Sequence, residues 1–131
     1  MIAASATVPA RGFAVLGVNT DTGKNGGAPV DYGWGVAVFP LSNSGGDAVL
    51  LLDAALNEVC RVEYDAGASW TLPNGASLVL KAPNLDPNDP LNWAVSTQRP
   101  PCFIGDAGDL GSPGGPNEVG RWGRGAMIML C

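Results

Sequence analysis

An all-β fold, either a sandwich or a barrel, is the fold class that the sequence predicts. Short apolar runs recur at intervals of about ten residues, and turn-forming residues separate them. The 131 residues include 19 Gly and 11 Pro, as expected for a chain with many turns. No stretch of about a dozen residues shows a helical period of apolar positions without Gly or Pro. The hydrophobic fraction of 46% is sufficient for one packed domain.

The first third of the chain predicts two strand regions on either side of a loop. Residues 13–16 form an apolar run between two glycines, which indicates a buried strand. Residues 19–27 are rich in Asn, Asp and Gly and therefore predict a loop. Residues 30–39 are rich in Val and aromatic residues, but Gly33 and Gly35 interrupt them. This segment predicts two short strands or one bulged strand.

The middle of the chain predicts a β-hairpin. Residues 48–53 are an almost uninterrupted apolar run, and we expect this strand to be buried on both faces. Residues 59–64 alternate instead, which places Cys60, Val62 and Tyr64 on one face of the second strand. The short turn between the two runs completes the hairpin pattern.

The last part of the chain predicts one further strand among turns. Asn74 and Gly75 form a hairpin-type dipeptide, and residues 77–81 are the strand after it. Residues 84–93 are rich in Pro, Asp and Asn and end in a single tryptophan, Trp93. Residues 100–117 are rich in Gly and Pro and predict irregular structure.

The core is predicted from the apolar positions of these strands, because the inward-facing residues of a sandwich pack between its sheets. The expected core residues are Phe13, Val15, Val49, Leu51, Val62, Tyr64, Leu78, Leu80 and Trp93. For Leu51→Ala we expect the free energy of unfolding to fall by about 2–5 kcal/mol.

Composition argues against several classes of function. The net charge of −5 disfavours nucleic-acid binding, because phosphate backbones repel an acidic chain. No apolar run approaches the ~18 residues of a membrane-spanning helix. The chain contains no His, the commonest general base and metal ligand, and no nucleophile has its usual partner. We therefore predict that the protein is not an enzyme, has no catalytic residues and needs no resident cofactor.

Six segments, in the same order along the chain, resemble bacterial lamin-tail domains. No segment is specific alone, but together they span residues 8–117. They are VPARGFAVLG at 8–17, NGG at 25–27 with VDY at 30–32, LSNSGGD at 41–47 with VLLLD at 49–53, RVEYD at 61–65, NDPLNW at 88–93 and GDLGSPGGPN at 108–117.

The resemblance implies an immunoglobulin-like β-sandwich of lamin-tail type over residues 1–117. Relative to the family, the chain lacks the opening N-terminal strands, and residues 118–131 are an extension of unknown role. The sandwich is then either incomplete or completed by another strand. Residues 126–130 are apolar and of strand length, so they could fold back on their own sheet or add to a neighbour's edge.

Lamin-tail domains bind protein partners, and the bacterial ones are typically accessory modules of secreted or surface proteins. The resemblance therefore implies a non-enzymatic, protein-binding or structural module located outside the cell or at its surface. The first residues of this chain lack the features of a signal peptide. A self-assembling subunit that donates a strand to its neighbour is the first alternative. A carbohydrate-binding or calcium-assisted adhesion domain is the second.

Two groups of residues are candidate ligand sites. Asn19, Asp21 and Asn25 have the alternating oxygen spacing of a calcium loop, but the glutamate that ends such loops is missing. The alternative is a solvated turn rich in Asn and Asp. Trp70 and Trp34 are candidates for an exposed contact surface that binds a protein or a carbohydrate.

Two further assignments concern Trp93 and the cysteines. Trp93 follows several Asp and Asn residues, which indicates either a sugar platform or, as we prefer, a tryptophan that plugs the core. Cys102 and Cys131 lie in irregular segments and are candidates for a disulfide, whereas Cys60 is expected to be a buried residue within a strand.

Overall fold

The computed structural model describes residues 7–10, 12–35, 41–98 and 109–116. These residues form six strands: β1 (Leu16–Gly17), β2 (Tyr32–Gly33), β3 (Gly46–Leu52), β4 (Glu58–Asp65), β5 (Leu78–Leu80) and β6 (Trp93–Val95). The helical structure within the described ranges is one short 3₁₀ segment, Pro90–Asn92. The all-β prediction is therefore confirmed. The described strands pair as three separate two-stranded sheets, β1 with β2, β3 with β4 and β5 with β6.

Strands β1 and β2 form a short parallel pair, with Leu16 beside Tyr32 and Gly17 beside Gly33. The backbone N–H of Val15 donates to the Asp31 carboxylate at 2.7 Å, and the N–H of Asp31 donates to the Val15 carbonyl at 2.8 Å. A Cβ at Gly17 would lie 2.9 Å from a methyl group of Val30, so this close approach requires glycine. The observed strand β1 is thus shorter than the strand predicted over residues 13–16, and it begins three residues later.

Strands β3 and β4 form the predicted antiparallel hairpin, in which Val49 pairs with Val62 and Leu51 pairs with Cys60. The turn over residues 53–57 is held by Asp53, whose carboxylate accepts hydrogen bonds from the backbone N–H groups of Ala55 and Asn57, both at 2.8 Å. The register shifts between Leu51 and Leu52, which marks a bulge at the end of the hairpin.

Strands β5 and β6 form an antiparallel pair, in which Leu80 lies opposite Trp93. The Asn74–Gly75 dipeptide predicted a hairpin turn, but in the structure this turn does not connect two adjacent strands. Gly75 has a φ of 72° and leads into an isolated parallel bridge between Ala76 and Leu110. The hydrogen bond from the Ser77 N–H to the Leu110 carbonyl, 2.9 Å long, extends this contact.

The described core is small and largely aromatic. Its buried hydrophobic residues are Val62, Tyr64, Trp70, Val79 and Trp93, and Cys60, Leu72, Leu78 and Leu80 are partly buried hydrophobic residues packed against it. The core prediction is confirmed for Val62, Tyr64 and Trp93. Phe13, Val15, Val49, Leu78 and Leu80 are half-buried.

The prediction for Leu51 is wrong, as is the prediction that its strand is buried on both faces. Leu51 is 39% exposed and its neighbour Leu50 is 43% exposed. Leu51 shares a face with Val62 and Tyr64, but it lies nearer the turn of the hairpin. The hairpin therefore extends beyond the core, which covers this face only at the end that carries Tyr64.

Candidate functional site

Three buried aromatic side chains from different segments meet at the end of the hairpin opposite its turn. Tyr64 comes from β4, Trp70 follows the turn after β4, and Trp93 begins β6. The ring centroids of Tyr64 and Trp70 are 6.2 Å apart at an interplanar angle of 66°, and those of Trp70 and Trp93 are 5.7 Å apart at 58°. Such edge and tilted contacts stabilise aromatic pairs beyond the area that they bury.

The polar atoms of these three rings differ in their hydrogen bonding. The Tyr64 hydroxyl donates to the Ser42 carbonyl at 3.0 Å, and the Trp93 indole N–H donates to the Pro87 carbonyl at 2.9 Å. Within the described part of the chain, no residue accepts a hydrogen bond from the Trp70 indole N–H. Trp70 therefore retains an indole donor for a ligand.

A cavity of about 150 Å³ opens beside these rings. Its lining is mostly apolar, and none of the described residues that line it is charged. These residues are Leu41, Asn43, Tyr64, Trp70, Leu72, Pro73, Ala76, Ser77, Leu78 and Trp93. Ser77 is only 9% exposed, and its Oγ is buried without a hydrogen-bond partner among the described residues. A buried hydroxyl without a partner is costly. This hydroxyl lies toward Gly111 and has almost no accessible surface, so it is not open to a ligand in the cavity.

Burial and a nearby carboxylate influence Tyr64 at the edge of this cavity. Desolvation is the main cause that raises the pKa of the Tyr64 hydroxyl above 10.0, and the negative charge of Asp47 raises it further. Asp47 thus places negative charge close to the cavity without lining it.

The opposite end of the hairpin, residues 50–60, is here called the hairpin tip. It exposes large aliphatic side chains, with Leu56 at 68% and Val59 at 61% in addition to Leu50 and Leu51. Leu56 has a φ of 65°, a left-handed conformation that is unfavourable for a residue with a large side chain. The fold therefore holds a strained, exposed leucine at the turn, and such outliers point to function.

Charged side chains accompany the hairpin tip. Arg61 forms ion pairs with Glu58 at 2.9 Å and with Glu63 at 3.0 Å. The pKa of Asp53 is lowered, mainly because its carboxylate accepts a hydrogen bond from the Asn57 side chain. The pKa of Glu58 is also lowered, mainly by its hydrogen bond with Arg61. The tip thus combines exposed apolar side chains with ionised groups, as many protein interfaces do.

Both edges of the hairpin are capped where Ala48 pairs with Glu63. The Ala48 N–H donates to the Asp47 carboxylate, and the Glu63 N–H donates to the Asn88 side-chain oxygen, both at 2.8 Å. In an antiparallel ladder, the N–H groups of a non-hydrogen-bonded pair point outward from the two strands. Because these N–H groups already have acceptors, the caps disfavour addition of another strand at this point.

The expectation that Trp70 is exposed is wrong. Trp70 was expected to be exposed because serine and threonine flank it, but it is 8% exposed and belongs to the core. Its ring packs against Tyr64 and Trp93, and this long-range packing outweighs the polarity of its neighbours. Trp34 is half-buried and lies away from the cavity lining.

The candidate calcium loop forms a turn whose oxygens bind its own backbone. The Asn19 side-chain oxygen accepts from the Asp21 N–H at 2.9 Å, and the Asp21 carboxylate accepts from the Gly23 N–H at 3.0 Å. The Asn25 side-chain oxygen accepts from the Gly27 N–H at 3.1 Å. Across the described ranges, no group of three or more His, Cys, Asp or Glu residues could hold a metal ion. In this structure these residues thus form an Asn- and Asp-rich turn held by its own side chains.

The other predictions have mixed outcomes. Trp93 is 7% exposed and plugs the core, as preferred, and Asp86 and Asp89 accept hydrogen bonds from nearby backbone N–H groups. Cys102, Cys131 and the strand predicted at 126–130 lie outside the described residues. In the part of the chain that the structure covers, no helix is long and apolar enough to cross a membrane.

Sequence reasoning missed Ser77 and the exposed residues of the hairpin tip. Ser77 had no local signal, since its burial depends on its pairing with residue 110. Leu56 carried a weak signal, because a lone leucine within a predicted turn is unusual.

Comparison of the chain with protein-family models, with curated proteins and with solved structures finds no match.

Proposed function

We propose that the protein is a non-enzymatic, protein-binding module of a secreted or surface protein. In this proposal its described strands belong to an immunoglobulin-like β-sandwich of lamin-tail type. The all-β class and the ordered resemblance over residues 8–117 support the fold. The exposed hairpin tip supports the binding role, and it is the observation on which the functional proposal rests.

The hairpin tip has the properties of a contact surface for a protein. Its exposed aliphatic side chains, Leu50, Leu51, Leu56 and Val59, all lie within eleven consecutive residues, 50–60. Leu50 and Leu51 are consecutive in β3 and lie on opposite faces, so the exposed side chains occur on both faces of the tip. Their concentration at one end of the hairpin favours an interaction site there. The cavity is too small for a folded partner, and the capped edges at Ala48 and Glu63 disfavour pairing by strand addition. A partner therefore docks on side chains at the tip.

Site-specific photo-crosslinking in the cells that make the protein tests this role. A photoreactive residue replaces Leu56, and in a matched control it replaces Leu91, which is 78% exposed but outside the tip. We expect a light-dependent adduct with a defined protein from position 56 and not from position 91. Val59→Ser should reduce the yield of that adduct. Equal adducts from both positions, or none from position 56, would contradict the proposal.

Light scattering of the purified chain identifies whether the partner is a second copy. A discrete monomer that still gives the position-56 adduct in cells requires a different protein as partner. A concentration-dependent oligomer that Leu56→Asn dissociates assigns the tip to self-association instead.

A further inference from the structure

We propose that the cavity beside Trp70 binds one proline of an extended, basic peptide. This site lies at the end of the hairpin opposite the tip, so the inference does not depend on the function proposed for the tip.

The size and lining of the cavity fit a single small ring. Its volume of about 150 Å³ is comparable to that of an apolar protein cavity that accepts one benzene molecule. Tyr64, Trp70 and Trp93 supply aromatic surface, and Leu72 and Leu78 supply aliphatic surface. Aromatic-lined grooves of this kind bind proline-rich segments, which are already extended and lose little entropy on binding.

The Trp70 indole matches the backbone of such a segment. A polyproline II segment has no internal hydrogen bonds, so its carbonyl oxygens are free acceptors. The Trp70 indole N–H is a donor only. A carbonyl oxygen next to the bound proline would accept from Trp70.

The charge around the cavity selects a basic peptide. The Asp47 carboxylate accepts the backbone N–H of Ser42 at 3.0 Å, and the carbonyl of Ser42 accepts the Tyr64 hydroxyl, so this carboxylate lies close to the rings. The net charge of −5 adds a general attraction for Lys or Arg residues beside the proline. A sugar fits less well, because its many hydroxyls would need more polar partners than the described lining offers. Besides the Trp70 indole and the Tyr64 hydroxyl, this lining offers the Asn43 side chain, whereas the Ser77 hydroxyl is buried.

The direct test is a titration of ¹⁵N-labelled protein, in which each tryptophan indole N–H gives its own signal. The ligand is the synthetic peptide Arg-Pro-Pro-Arg-Pro-Pro with blocked ends, and the control peptide replaces every Pro with Ala at the same charge. We expect a saturable shift of the Trp70 indole signal with the proline peptide, and a much smaller shift for Trp93, whose indole is already bonded to Pro87. No Trp70 shift at millimolar peptide, or equal affinity for both peptides, would overturn the proposal. So would a saturable Trp70 shift with maltohexaose but not with the peptide.

Two variants locate the binding site. Trp70→Phe keeps an aromatic ring but removes the indole donor, so the affinity should fall roughly threefold to tenfold. Ala76→Leu should fill the cavity and abolish binding. Leu91→Asn, at an exposed position outside the cavity lining, is the control, with affinity expected to be unchanged.

Melting temperatures separate these effects from misfolding. Since Trp70→Phe removes part of the core, its binding result counts only if the variant is folded, and Ala76→Leu carries the test otherwise. Unchanged affinity in a folded Ala76→Leu variant would overturn the assignment of the cavity.

Discussion

Truncation of Val62 should destabilise the protein more than truncation of Leu51, although Leu51→Ala removes more atoms. The two residues lie on the same face of the hairpin, but Val62 is 2% exposed and Leu51 is 39% exposed. Val62→Ala deletes two buried carbon groups at about 0.8 kcal/mol each and leaves a cavity that adds about 1 kcal/mol. We expect a total loss of about 2–3 kcal/mol in the free energy of unfolding.

For Leu51→Ala the same calculation gives a smaller loss. Three carbon groups are deleted, but only about three-fifths of their surface is buried, which corresponds to about 1.5 kcal/mol at most. No closed cavity forms, because the position is open to solvent. The expected loss in the free energy of unfolding is therefore smaller than the range of about 2–5 kcal/mol that the sequence alone predicts for a buried leucine.

Urea unfolding followed by tryptophan fluorescence measures both variants against the unmodified chain. With a slope of roughly 1–3 kcal/mol per molar urea, the two midpoints should differ by about 0.5–1 M. The slopes themselves should be unchanged. If Leu51→Ala lowers the midpoint as much as Val62→Ala, the hairpin tip is covered in the folded chain, and both its exposure and the proposed contact surface are wrong.

Three further predictions concern single residues of the hairpin. Leu56→Asn should raise the free energy of unfolding by about 0.5–1 kcal/mol in urea unfolding, because Asn tolerates a positive φ better than Leu. Tyr64→Phe should cost about 1 kcal/mol through loss of the bond to Ser42. Since the pKa of Tyr64 is raised, its stabilising contribution is present below pH 10 and is lost at higher pH, and the variant should lack that alkaline loss in melting experiments. The lowered pKa of Asp53 means that its bonds to Asn57 stabilise the turn above pH 3.8 and are lost as the pH falls further, which an NMR titration of the Asp53 carboxyl should show directly.

The parts of the fold that the sequence predicts are those with a local pattern. The hairpin is predicted because side chains alternate between two faces with a period of two, as Cys60, Val62 and Tyr64 do. Its extent beyond the core is not predicted, because local sequence does not show where the covering residues end. For the same reason Leu51 was expected inside the core, although β3 reaches past it.

The cavity could not be predicted from the sequence, because its lining comes from distant segments. Tyr64 and Trp93 were expected to be buried, but nothing local indicated that Trp70 lies between them. The burial of Ser77 likewise follows from the bridge between Ala76 and Leu110, which joins residues far apart in the chain. The Asn74–Gly75 dipeptide predicted a local hairpin instead, and this long-range pairing replaced it.

The hairpin positions both proposed contact regions, one at each end. Tyr64, in the pair with Asp47, contributes a ring to the cavity, and the pair of Leu51 with Cys60 begins the exposed tip. The two pairs are four positions apart along the strands, a distance of about 13 Å. Side chains more than about 7–10 Å apart without shared partners usually affect stability independently. A change at the tip therefore leaves the cavity intact, and a change in the cavity leaves the tip intact, so failure of one proposal does not decide the other.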